Sequence, residues 1–261
     1  MVVEFAASTL FCLHKPFEDA LADLFLDETR CIEFVDEGLH ALTRRRVDRL
    51  LEMKASYGLR FAVHAPFTDI NIAAFDETIR EGILNRLERS IRSASALEAE
   101  ALIFHPGATT ALEYFYPKKA WNLNIRSVRR LLRYAVDYGV SAMIENVPDP
   151  FPFLMKSVED FERFFDEVDC EVSMALDVAH SNIGGQTLEF IRSFGNCIKH
   201  IHVSDNFGQM DEHLQVGKGS IDWKETMATI RASHFIGWMV VESYRGVVQS
   251  IRLLKNLMTS I

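Results

Sequence analysis

Eight times along this chain a short apolar or β-branched run is followed by a longer segment, in most cases with apolar residues recurring every three or four positions. Few folds accept that alternation, because each parallel strand needs a helix to carry the chain back before the next can form. The candidate strands cover residues 2–8, 31–34, 60–64, 101–105, 142–145, 173–177, 198–203 and 239–242. The clearest helix covers 76–97, where Ile79, Ile83, Leu87, Ile91 and Ala94 make one apolar stripe; others cover 117–138, 157–168, 222–233 and 247–258. Eight such units in 261 residues predict an α/β fold of the (β/α)8 TIM barrel type. An open doubly wound sheet would place a Gly-rich turn after its first strand, and that position reads STLFCLHKP. No linker or low-complexity stretch divides the chain, so one domain over 1–261 is expected.

Such a barrel carries its chemistry at the C-terminal ends of the strands. The third run ends at His64, the fourth at His105, the fifth at Glu145 and the sixth at Asp177, with His180 close behind; the seventh supplies His202 and the eighth Glu242. Inward and outward positions alternate along a barrel strand, so Glu145 and Glu242 face in where Ile144 and Val241 face out. Burying Glu145, Asp177 and Glu242 about one axis costs desolvation and mutual repulsion unless cations neutralise them. A divalent metal supplies that charge. Mixed imidazole and carboxylate donors suit zinc or manganese better than magnesium or calcium, which prefer oxygen alone. The stretch 199–223, KHIHVSDNFGQMDEHLQVGKGSIDW, adds Asp205 and then Asp211 and His213, one residue apart and able to reach a common ion, on a loop stiffened by Gly217 and Gly219. His200 shares the face of His202 one layer deeper and reads as a packed or supporting residue. His14, His40 and His234 fall away from the strand ends and are given no role.

Composition narrows the partners. Asp+Glu 37 against Lys+Arg 28 gives a net charge of −9, a field that repels polyanions, so DNA is the less favoured partner and a small molecule the better one. The RRR at 44–46 and the arginines between Arg80 and Arg92 lie on amphipathic stretches as solvated faces. No apolar run reaches membrane-spanning length and Met1 leads directly into a strand-like segment, so no membrane association and a cytoplasmic location are expected. Cys12, Cys31, Cys170 and Cys197 show no CxxC spacing and read as buried thiols, which turns the metal expectation away from thiolate zinc.

HAPF at 64, HPG at 105, IEN at 144, LDVAH at 176, HIHVSDN at 200, DEH at 211, GKGSIDW at 217 and VES at 241 follow one another over nearly the whole chain. In that order they resemble the xylose isomerase-like TIM barrel superfamily, which holds sugar and sugar-phosphate isomerases and epimerases and also the endonuclease IV enzymes. In the isomerase and epimerase branch, the resemblance implies one metal held by Glu145, Asp177, His202 and Glu242. In the endonuclease branch it implies three zinc ions, one on His64, His105 and Glu145, a second bridged by Glu145 and shared with Asp177, His202 and Glu242, and a third on His180, Asp211 and His213. All nine positions carry the matching residue type. Two departures favour a small substrate: Glu212 stands where the endonuclease pattern has arginine, and Phe67 where it has tyrosine. The FGQM before Asp211 also lacks a basic loop.

The expected activity is therefore a metal-dependent isomerisation or epimerisation of a sugar or sugar phosphate through an ene-diolate, with Glu145 and Glu242 as acid and base. Asn146, Lys218 and Arg245 are expected to hold hydroxyls or a phosphate, and Phe67 and Trp223 to wall the sugar face. The alternative is a trinuclear zinc phosphodiester hydrolase acting on abasic DNA; a barrel that binds without catalysis is a third reading.

Overall fold

Strands β1 (Glu4–Ser8), β2 (Cys31–Val35), β3 (Arg60–His64), β4 (Leu102–Phe104), β5 (Ala142–Glu145), β6 (Ser173–Asp177), β7 (Ile198–Val203) and β8 (Trp238–Val241) each pair in parallel with their chain neighbours, and β1 pairs with β8 to close the barrel. This is the expected (β/α)8 architecture. The computed structural model describes residues 3–260, so Val2, the expected edge of the first strand, lies outside the described residues. Helices α1 (Phe17–Ala20), α2 (Arg44–Tyr57), α3 (Glu77–Ala96), α4 (Lys119–Asp137), α5 (Val158–Val168), α6 (Val178–Ile183), α7 (Thr187–Phe194), α8 (Trp223–Ala232) and α9 (Val247–Ser260) fill the connections.

Pleating sorts each strand into two faces. Ile32, Phe34, Phe61, Val63, Ile144, Ile201, Val203 and Val241 turn outward into the apolar layer beneath the helices, whereas Cys31, Ala62, Ile103, Met143, Ala175 and Val240 fill the barrel interior. Each fully buried large aliphatic or aromatic side chain in the outer layer stabilises the fold by about 1.5–3 kcal/mol. Helix starts are set by short polar side chains: Asp76 accepts from the Ile79 amide at 3.1 Å, Asp222 from the Glu225 amide at 2.9 Å, and Ser157 and Asp160 cap α5 reciprocally. At its other end α2 stops on Gly58, whose φ of 65° is left-handed and favours glycine.

Two strand ends differ from expectation in ways that matter for the rim. β4 stops at Phe104, because Pro106 has no amide hydrogen to extend the ladder beyond His105. β8 stops at Val241, yet the Glu242 amide still donates to the Val203 carbonyl at 3.0 Å, which keeps Glu242 in line with its strand. The thiols also depart from expectation. Cys12 and Cys31 are buried, but Cys197 is half-buried and Cys170 is exposed, since it follows Asp169, where α5 ends in a left-handed turn at the surface. Among the described residues no helix is long and apolar enough to cross a membrane.

Candidate metal centre

The closed barrel brings the ends of six strands to one rim, and Glu145 stands at the centre of what they carry. Its Oε1 lies 2.8 Å from Nδ1 of His202, and its Oε2 lies 2.9 Å from Nε2 of His105 and 3.2 Å from Nε2 of His64. One donor atom from each of Glu145, Asp177, His202 and Glu242 falls within 4.8 Å of the others, and so does one from each of His64, His105 and Glu145. Beside them, Oδ2 of Asp211 sits 3.2 Å from Nε2 of His180 and 2.9 Å from Nε2 of His213. His213 reaches this place from a left-handed backbone (φ 47°), and its Nδ1 lies 3.1 Å from the Glu242 carbonyl.

Burial is nearly complete, and it drives the electrostatics. Desolvation pushes the Asp177 carboxyl up to about 7, aided by the charges of Glu145, Asp211 and Glu242 and opposed by His180. Burial disfavours charge on Glu145 too, but there the surrounding imidazoles win and hold the carboxyl well below its usual range. Burial acts against the His64 imidazolium as well, and its bond to Glu145 and the nearby carboxylates outweigh that, raising it to about 9. His105 goes the other way, since desolvation outweighs its contact with Glu145.

A cation fits this arrangement on the protein's own hydrogen bonding. Asp177 Oδ1 accepts from the His180 amide at 2.7 Å, but among the described residues its buried Oδ2 has no hydrogen-bond partner, and neither has Oδ1 of Asp211. Buried carboxylate oxygens left unpaired are costly, and two of them among metal-ligand side chains mark a place where a divalent ion would satisfy them.

Sequence reading missed Glu33. This fully buried carboxylate from β2 sits across the barrel interior, with Oε2 2.8 Å from Nε2 of His200 and Oε1 3.0 Å from Nε2 of His202. It braces the side of His202 that faces away from Glu145, and His200 acts through it, a supporting position of the kind expected for that residue. The available signal was a lone acid on the inward face of CIEFV, between Cys31 and Val35.

A cavity of about 340 Å³ opens over the centre, lined by Glu145, Glu242, the imidazoles of His64, His105, His180 and His213, Asp211, and an apolar wall that includes Phe67, Phe153 and Tyr244. Of the expected substrate contacts, Phe67 lies on this cavity, its ring 5.3 Å from that of His64. The other four are placed elsewhere. Asn146 is buried and ties β5 to β6, donating to the Asp177 carbonyl at 3.0 Å and accepting from its amide at 2.7 Å. Trp223 is buried and donates through Nε1 to Asp205 at 2.8 Å, while Lys218 and Arg245 are exposed and do not line the cavity. Asp205 is buried. Its carboxylate accepts from the amides of Asn206, Gly217 and Ile221 and so organises its own loop. His14 and His234 are exposed, and His40 packs on Phe34 with Nε2 3.0 Å from the Lys15 carbonyl.

Comparison with known proteins agrees with this geometry. A family model described as "Xylose isomerase-like TIM barrel" matches residues 28–257. An uncharacterised protein of Methanocaldococcus jannaschii is 32% identical over 80% of this chain and 79% of its own length. Among solved structures, a D-tagatose 3-epimerase-like protein superposes with a TM-score of 0.93 at 26% identity, covering 99% of this chain and 98% of that one. The IOLI protein, solved with a bound zinc atom, superposes with a TM-score of 0.79 at 18% identity over 99% of this chain and 97% of its own, a likeness of fold.

Proposed function

This chain belongs to the xylose isomerase-like TIM barrel family, and from that premise we propose that it is a divalent-metal-dependent isomerase or epimerase of a carbonyl sugar or related polyol. The observation that carries the reading is the convergence of Glu145, Asp177, His202 and Glu242 within 4.8 Å beneath an open cavity. The name of the D-tagatose 3-epimerase-like relative supports the choice of substrate class. These four residues are the ones we assign to hold the ion, zinc or manganese by the chemistry of the donors. Bound there, it would supply the positive charge that an ene-diolate needs beside the carbonyl oxygen.

The side chains divide the proton work. Glu242 lines the cavity, and among the described residues its carboxylate accepts no hydrogen bond, its nearest imidazole contact being Nδ1 of His202 at 3.7 Å. We assign it the removal of the proton next to the carbonyl. Glu145 comes from β5, three strands round the barrel, and the imidazoles that stabilise its ionised form weaken it as a base. We assign it the return of a proton on the opposite face, with Nε2 of His64, 3.2 Å away, as the group through which it is reprotonated. Phe67 and Phe153 close the wall and exclude water from the reacting carbons.

Deuterium exchange tests this. In D2O the metal-loaded protein should label the carbon adjacent to a ketose carbonyl, and Glu242→Gln and Glu145→Gln should each lower the rate by about 10²–10⁴-fold. Full turnover in both variants would remove them from the mechanism.

One observation favours a second reading, metal-dependent phosphodiester hydrolysis. The His180, Asp211 and His213 group and the His64, His105 and Glu145 group would together provide for further ions. Three zinc ions per chain with cleavage of an abasic duplex would establish it, whereas one ion with no cleavage excludes it.

A further inference from the structure

We infer that the substrate of this site is uncharged, a free carbonyl polyol and not its phosphate ester or an acid; the inference rests on the isomerase reading above and narrows it. In a TIM barrel an anionic group is ordinarily held by loop amides, by a helix N-terminus or by Arg and Lys on the βα loops. Here the amides of the loops after β3 and β7 and of the start of α6 are committed elsewhere.

The loop after β7 has the composition of an anion cradle, GKGS from Gly217 to Ser220, but an internal carboxylate already fills it. Asp205 accepts from the Gly217 amide at 2.8 Å, the Asn206 amide at 3.0 Å, the Ile221 amide at 3.3 Å and Nε1 of Trp223 at 2.8 Å. The Ser220 amide goes to the Asn206 carbonyl at 2.8 Å, and the Lys218 amide to the Gln215 carbonyl at 3.0 Å. A side chain at Gly219 would collide with Oδ1 of Asp205 and the Asn206 carbonyl, so the glycine serves the internal plug. The loop after β3 repeats the device. Glu37 accepts from the amides of Phe67 and Thr68 at 3.0 and 3.2 Å and from the Thr68 hydroxyl, which removes the donors of that wall from the cavity. At the start of α6 the His180 amide is taken by Asp177.

Arginine and lysine do not fill the gap. Among the described residues no Arg or Lys lines the cavity, and Lys156, on the loop after β5, is paired with Asp149. What a phosphate would meet instead is Asp211 and Glu242, the imidazoles of His180 and His213 already turned to Asp211, those of His64 and His105 already turned to Glu145, and an apolar wall built around Phe67, Phe151 and Phe153. A dianion desolvated against these groups without a partner is strongly disfavoured. The CH faces of a neutral polyol suit the apolar wall, and its reacting oxygens face the carboxylate and imidazole side.

The test uses matched pairs on the zinc-loaded and manganese-loaded full chain: D-fructose with D-fructose 6-phosphate, and D-tagatose with D-tagatose 6-phosphate. Binding is read by calorimetry and exchange by NMR in D2O. The neutral member of each pair should bind and exchange, with the ester at least about 100-fold weaker in both readouts. Esters that match or surpass the neutral sugars in exchange would overturn the inference while leaving the isomerase reading standing. No exchange with either member would count against the isomerase reading for these sugars. Calorimetry then still decides the charge preference: tighter binding of the neutral member upholds it and tighter binding of the ester sinks it.

Discussion

The two ends of the barrel carry acids in very different company. At the N-terminal end, Glu4 and Glu100 share the guanidinium of Arg60, at about 40% exposure, with Nε of Arg60 2.9 Å from Glu100. At the C-terminal end Glu145, Asp177 and Glu242 are buried, and among the described residues their only ion-pairing partners within 4 Å are imidazoles. A guanidinium is a permanent counter-charge, so the lower acids are already satisfied. An imidazole is a titratable donor or acceptor, and acids paired only with imidazoles keep a demand for positive charge that a metal can meet. The acids paired with arginine are structural, and those paired with imidazoles are the chemical ones.

The sharpest way to break the contrast is at its hub. Glu145→Gln should weaken zinc or manganese binding at least about 100-fold in a chelator competition, because it removes a charge that three imidazoles and the proposed ion share. Glu33→Gln tests the brace one layer deeper. It should cost about 10–100-fold in metal affinity and perturb the visible spectrum of the cobalt-substituted protein, reporting a reoriented His202. An unchanged spectrum and affinity would make Glu33 a packing residue only.

Much of this was legible in the sequence, and the limits have physical causes. The strands Arg60–His64, Ala142–Glu145, Ser173–Asp177 and Ile198–Val203 fall where the apolar runs put them, because strand residues buried on both faces must be apolar until the rim is reached. Side-chain partners on loops were harder to read. Trp223 follows GKGSID in a way that suggested a sugar platform, but its indole is drawn down by Asp205, a partner eighteen residues away. Asn146 likewise is turned to the backbone of the next strand. Glu33 was hidden because strand periodicity marks it as inward without saying that two histidines of β7 wait across the interior.

Asp177, raised to about 7 by burial, must be ionised to hold a cation, so protons compete with the metal. His202, which burial lowers but Glu242, Glu33 and Glu145 raise well above the ordinary imidazole range, must also lose its proton, so affinity should rise with pH through neutrality and fall by more than about tenfold per pH unit on the acid side, a slope measurable by calorimetry. Arg60→Ala, at the other end, should cost about 1 kcal/mol or less in a denaturant titration and leave metal affinity unchanged, as expected for half-exposed ion pairs. A metal-binding defect in Arg60→Ala would erase the distinction between the two ends.

The most direct measurement is anomalous diffraction from crystals grown with zinc or manganese and no chelator. A strong peak within bonding distance of Glu145, Asp177, His202 and Glu242 is the result expected here. Full occupancy elsewhere with no peak among those four residues would contradict it.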